Sequence, residues 1–149
     1  MKLYLHILII LNFLFSNLIF SQEETTKFYI TELRGDISLE MEINNLESNK
    51  GPIYIRILDE NENPVIVGTS PVINYSSEIS FDSIFPGKYA IQFFHDENEN
   101  QKMDFNLIGI PKEKFGSSNN VKPVLGPPKF EKMLINLNEN KKIIIIPVN

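Results

Sequence analysis

A chain of 149 residues with 14 basic against 19 acidic side chains and a formal charge of −5 is poorly suited to nucleic acid. Phosphate neutralisation needs clustered Lys and Arg, and here the basic residues stand singly apart from Lys141-Lys142. The absence of cysteine excludes disulfides, thiolate nucleophiles, cysteine-based zinc sites and a lipid-modified amino-terminal cysteine. Much Ile, Asn and Lys with little Ala and no Trp fits an AT-rich bacterial genome.

At the amino terminus Lys2 precedes an apolar run over residues 3–15, followed by a short segment ending at Ser21. This is the pattern of a secretory signal peptide, residues 1–21, with Gln22 opening the mature chain. His6, Asn12 and Asn17 interrupt the run, whereas a spanning helix wants about 20 nearly unbroken apolar residues. Export to the periplasm, the cell surface or the medium is expected, with no membrane insertion after the leader is removed. About 128 residues then remain, enough for one domain.

Residues 22–35 read as a polar leading segment with a short apolar patch at 28–30. From residue 36 the chain alternates, with Ile37, Leu39, Met41 and Ile43 on one side and Ser38, Glu40 and Glu42 on the other. That is the period of a half-buried strand. Ile53, Ile55 and Ile57 repeat it, the run 59–64 turns the chain, and 65–67 predicts a short edge strand. A further strand is expected over 73–81. Pro86-Gly87 suits a type II turn, with glycine at the positive φ, leading into a strand over 89–94 covered on both faces. Residues 95–128 form a long connection, of the kind that is usually functional or internally structured. Strands over 130–137 and 141–148 close the domain. The run 143–146, all isoleucine, has no polar alternation and is expected to be buried on both faces or to aggregate. No segment has helical periodicity over three turns. The prediction is an all-β fold: a single antiparallel β-sandwich over 36–149, transthyretin-like or Ig-like, with about seven strands.

Chemistry concentrates in residues 95–104. Asp96, Asn98, Asn100 and Asp104 place side-chain oxygens at offsets one, three, five and nine of one loop, and the Lys102 carbonyl falls near offset seven. Ca²⁺ takes six to eight oxygens from just such a series, so these five residues are the expected metal ligands and Ca²⁺ the expected cofactor. The twelfth position is Leu107, so this is no EF-hand, and a bidentate carboxylate has to come from Glu97, Glu113 or Glu131. The competing reading is a solvated acidic turn. His95, beside the loop, is expected to hydrogen-bond it rather than act as a catalytic base. Ser117, Ser118, Asn119 and Asn120 are expected to bond nearby backbone, or alternatively to contact a glycan or peptide. Phe105, Phe115 and Phe130 are expected to pack beneath the long connection.

Several motifs occur in a specific order: Phe85-Pro86-Gly87-Lys88-Tyr89, His95-Asp96-Glu97-Asn98, Asp104, Gly109-Ile110-Pro111-Lys112-Glu113, Phe115-Gly116, Ser118-Asn119-Asn120 and Gly126-Pro127-Pro128 with Phe130. From Leu39 to Val148 this order resembles the bacterial family of secreted proteins called DUF2141. The resemblance implies an extracytoplasmic β-sandwich and brings no activity with it. Members of that family tend to carry glycines inside the loop, where this chain has Glu99 and Gln101. The sixth loop position turns sharply and favours glycine, so Gln101 is expected to carry strain or to force another path.

The expectation is therefore a non-enzymatic, exported module of the cell envelope with a Ca²⁺-stabilised loop and a structural or binding role, its partner an envelope glycan or protein. The alternative is a carbohydrate- or peptide-binding module using residues 105–128. A hydrolase is the least favoured, because a calcium-type oxygen site generates hydroxide poorly and zinc's nitrogen and sulfur ligands are missing.

Overall fold

The computed structural model describes residues 27–30, 35–123 and 126–148, with side chains from residue 35 onward. The expected leader lies outside the described residues. Among those described, no helix is long and apolar enough to cross a membrane.

Two sheets face each other. The larger runs in the order β1 (Lys27–Ile30), β4 (Pro64–Ser70), β3 (Ile53–Asp59), β6 (Gly87–His95). Beyond β6, β8 (Ile135–Leu137) pairs with its first residues and β7 (Phe115–Ser117) with its later ones. The smaller sheet is β5 (Ser77–Ile84), β2 (Ile37–Ile43), β9 (Lys141–Ile145). The sandwich is all-β and antiparallel, except that β2 and β9 run parallel.

Alternation decides which faces meet. Leu39, Met41 and Ile43 of β2, Ile79 and Phe81 of β5 and Ile145 of β9 are buried against Ile53, Ile55, Ile57, Ile91 and Phe93 of the larger sheet. Each large aliphatic so buried is worth about 1.5–3 kcal/mol of transfer free energy, and this layer carries the fold. The outward face of the larger sheet is also covered. Leu58 and Ala90 pack with Met133, Val121, Phe130 and Leu134 of the connection that returns from β7. The long connection thus lies as a third layer over β3 and β6, which is why β6 is apolar on both faces.

Five expectations need correction. Residues 27–30, read as part of a polar tail, form a strand in antiparallel register with 66–69, so β4 lies inside the sheet rather than at its edge. The strand expected at 73–81 begins at Ser77, because Ile73 and Ser76 close a tight turn through mutual backbone bonds. Residues 130–137 contain one helical turn, Phe130–Met133, before β8. Gly87 opens β6 without a positive φ, and the left-handed residue nearby is Ser83, φ +68°, where β2 and β5 slip register. Glycine at 87 serves space, since a Cβ there would stand 3.2 Å from the ring of Tyr89, whose hydroxyl donates to the Phe85 carbonyl at 2.9 Å. Finally, the isoleucine run is not buried on both faces: Ile145 faces the core while Ile144 and Ile146 are half exposed, because β9 is the outermost strand of its sheet and only one face meets the other layer.

Candidate metal centre

Strand β6 delivers His95 and Asp96, both fully buried, to the rim of the larger sheet. Three bonds fix this strand end. The His95 N–H donates to Lys114 O at 2.8 Å, the Asp96 N–H to Pro52 O at 3.0 Å, and the His95 ring Nε2 bonds Lys50 O at 2.8 Å. The ring therefore ties the loop to its neighbouring turn, and its Nδ1 lies 3.6 Å from the Glu97 carboxylate. Close approach at this point requires glycine at 51, with φ +68° and a hypothetical Cβ only 1.8 Å from the Asp96 carbonyl oxygen.

From Asp96 the chain folds back over its own first carboxylate. Asp96 Oδ1 accepts the Asn100 N–H at 3.0 Å and Oδ2 the Gln101 N–H at 2.7 Å. These bonds hold Glu99 and Gln101 at φ +59° and +64°, a region that costs a non-glycine residue about 1–2 kcal/mol. Gln101 thus takes the sharp turn and carries its strain, and no other path is followed. Asn98 Oδ1 accepts the Asn100 N–H at 3.2 Å, and Asn100 Oδ1 the Lys102 N–H at 2.8 Å. The amide nitrogens of both asparagines converge on one atom, Asp104 Oδ2, at 2.7 and 3.1 Å. The two asparagine side chains therefore meet at Asp104, whereas the Asp96 carboxylate turns to the backbone amides of Asn100 and Gln101.

Sequence reasoning offered Glu97, Glu113 and Glu131 as the missing carboxylate, and the fold separates them. Glu97 faces His95, and Glu131 is exposed on the short helical turn. Glu113 is buried beside the focus: its Oε2 accepts the Asp104 N–H at 3.1 Å, and its Oε1, also buried, has no partner among the described residues. Burial raises the Glu113 pKa and the Asp96 and Asp104 charges add to the rise, against opposing pulls from the Asp104 amide and His95. A buried acid left with a free oxygen next to two carboxylates is the arrangement a cation would relieve.

The donor set also has limits. Among the described residues no three carboxylate or imidazole side chains are grouped tightly enough to hold a metal by themselves. An oxygen shell at this focus has to add the Asn98 and Asn100 amide oxygens and backbone carbonyls, and both amides, which present nitrogen to Asp104, have to turn over. Lys102 is exposed and enters the pattern through its N–H.

Of the neighbouring polar residues Ser118, Asn119 and Asn120 serve structure, whereas Ser117 Oγ, expected to bond backbone, has no partner among the described residues. Ser118 Oγ accepts the Ile91 N–H at 3.0 Å and donates to the Met133 carbonyl, and Asn119 Nδ2 donates to Lys132 O and Leu134 O. The run 59–64 is a hairpin turn closed on Asp59, which accepts the Asn61 and Asn63 N–H groups at 2.9 Å each. Phe115 and Phe130 are half-buried, but Phe105, expected to be covered, is 55% exposed.

A family described as an uncharacterized protein conserved in bacteria, DUF2141, matches residues 41–145. The chain belongs to the DUF2141 family. The DUF2141 match opens within β2 and closes at the end of β9, taking in both sheets and the whole acidic loop but not β1. No curated protein and no solved structure matches this DUF2141 chain.

Proposed function

We propose that this protein is an exported, non-enzymatic β-sandwich module of the bacterial cell envelope whose loop 96–113 is organised by Ca²⁺. One observation carries the cation: Glu113 Oε1 is buried and unpartnered beside Asp104, where the Asn98 and Asn100 side chains meet. A hard, oxygen-seeking ion would take the free Glu113 oxygen and Asp104 as its carboxylates, with the turned-over Asn98 and Asn100 amides and backbone carbonyls filling in, while Asp96 holds the loop backbone around it. Export is supported by the leader-like residues 1–21, and the non-enzymatic reading by His95, whose ring is fully buried and bonded to Lys50 O.

Binding to the native state alone adds RT ln(1 + [L]/Kd), about 2.7 kcal/mol at a hundredfold excess over Kd. Thermal melts of the mature protein with millimolar CaCl₂ against EDTA are the test. The expected result is a higher Tm in calcium that Asp96→Ala with Asp104→Ala removes. Superimposable wild-type melts in the two buffers would take calcium out of the reading.

A further inference from the structure

Between the outward face of the larger sheet and the long connection lies a groove of about 740 Å³, within the range of small-molecule sites. Residues in cross-strand register share a sheet face, so two rows make its floor. One row is aromatic: Tyr54, Phe94 and Phe115, with the Tyr54 and Phe94 rings stacked at 5.2 Å between centroids and 12° between planes. The next row is polar: Arg56, Gln92 and Ser117. Met103, Phe105, Ile110, Pro111 and Pro127 close over them from the connection.

The polar row is incomplete. Ser117 is 4% exposed, yet its Oγ has no partner among the described residues. Arg56 donates through Nε to Gln92 Oε1 at 2.7 Å, which holds the guanidinium over β6. Its other nitrogens meet no carboxylate among the described residues, none of the groove's lining residues being acidic. An arginine at the mouth of an apolar groove that no acid lines among the described residues has the chemistry to pair with an anion brought from outside.

We propose that this groove binds a small amphipathic monocarboxylate. Its apolar body lies on Tyr54 and Phe94 under Phe105 and Ile110, and its carboxylate meets the Arg56 guanidinium. Arg56 is exposed while the aromatic row is half-buried, so the site is graded from water to oil along the ligand, as an amphiphile requires. A glycan fits less well, for it needs many paired polar groups and finds only one short row. An extended peptide adds to a sheet edge through backbone bonds, and this floor is a sheet face. The roof from Met103 to Pro111 belongs to the loop 96–113, so the titrations are run in both CaCl₂ and EDTA, and binding that persists in EDTA separates this site from the cation reading.

Isothermal titration of the mature protein with laurate below its micellar concentration, and separately with 4-phenylbutyrate, tests the proposal and distinguishes an acyl chain from an aryl acid. Saturable one-to-one binding of either acid is expected, with its methyl ester at least about tenfold weaker, the scale of one charge-assisted pair. Arg56→Gln should bring the acid down to the affinity of its ester and leave the ester unchanged, while Phe94→Ala should weaken both. A retained wild-type Tm in Arg56→Gln separates loss of binding from loss of fold. The site is refuted by failure of both acids to bind, by equal affinity for acid and ester, by unchanged acid binding in Arg56→Gln, or by non-saturating uptake of many equivalents.

Discussion

The backbone N–H of Asp104 donates to Glu113 Oε2 at 3.1 Å, so the residue that gathers the Asn98 and Asn100 amides also positions the buried acid nine residues further on. The loop is closed across its base by this contact and by the Lys112 N–H, which donates to Asp104 O at 2.8 Å. Ordering of residues 96–104 and of 104–113 is therefore one event.

Glu113 gives that event a pH dependence. Its folded pKa is raised from 4.5, first by burial and then by Asp96 and Asp104, so in the absence of cation the folded state holds this proton more tightly than the unfolded chain. Its contribution then favours folding at acid pH and is lost as pH rises through the folded value. Glu113→Gln should consequently be more stable than wild type at pH 7–8 in EDTA, with the difference vanishing below about pH 4.5. Calcium should reverse the order at pH 8, because the charged carboxylate holds the ion more strongly than a neutral amide. Paired melts from pH 4 to 8, with and without calcium, measure both. A difference between the proteins that does not vary with pH in EDTA would disconnect Glu113 from the titration. Glu42 and Asp59, whose pKa values are lowered by neighbouring Asn side chains, shift both proteins alike.

Gln101 stores strain that glycine would release. Its φ of +64° is held by the Asp96 carboxylate. Replacing it with glycine removes about 1–2 kcal/mol of left-handed penalty and returns about 0.5–1 kcal/mol as unfolded-state entropy. Gln101→Gly should raise Tm by a few degrees at most and tighten any calcium response. A lower Tm in both calcium and EDTA would mean the glutamine side chain contributes something beyond its backbone.

Strand faces were legible where alternation was unbroken: Ile37 to Ile43 and Ile53 to Ile57 meet the core as their period requires. The tight bend of residues 96–104 was legible in the spacing of Asp96, Asn98 and Asn100, because short polar side chains bond nearby backbone, but that spacing is shared by metal loops and plain turns. What sequence could not supply is register. Ser117 lies beside Gln92, and Gln92 beside Arg56, only because β7, β6 and β3 pair in that order, and no local pattern encodes it. Sequence alone ranks Glu113 no higher than Glu97 or Glu131, and only the Asp104–Lys112 bond brings it to the loop. Ile144 misled because a run of isoleucines looks the same at a sheet edge as in a sheet centre.

Gly51 is the least replaceable position near the site. A methyl group there would stand 1.8 Å from the Asp96 carbonyl, and φ is +68°. The chain would have to separate the 50–52 turn from β6, breaking the Lys50 O to His95 and Pro52 O to Asp96 bonds. Gly51→Ala should cost about 2–4 kcal/mol, combining strain with lost hydrogen bonds, and should blunt the calcium effect. Urea unfolding gives the first and melts the second, and a cost under about 1 kcal/mol would show that the turn relaxes freely.

Asn120 guards the exposed side of β9. Its Oδ1 accepts the Ile146 N–H at 2.7 Å and its Nδ2 donates to Ile144 O at 3.3 Å, so one side chain satisfies backbone groups that a free edge would offer to another strand. With Ile144 and Ile146 half exposed beside them, an uncapped edge is a template for self-pairing. Asn120 has φ +52°, so Asn120→Gly keeps the backbone and removes only the two bonds, at about 1–2 kcal/mol. The variant should show concentration-dependent association by sedimentation velocity where wild type does not, and adding Ile144→Lys should restore the monomer. If Asn120→Gly sediments like wild type at every concentration, the edge is protected by something other than this side chain.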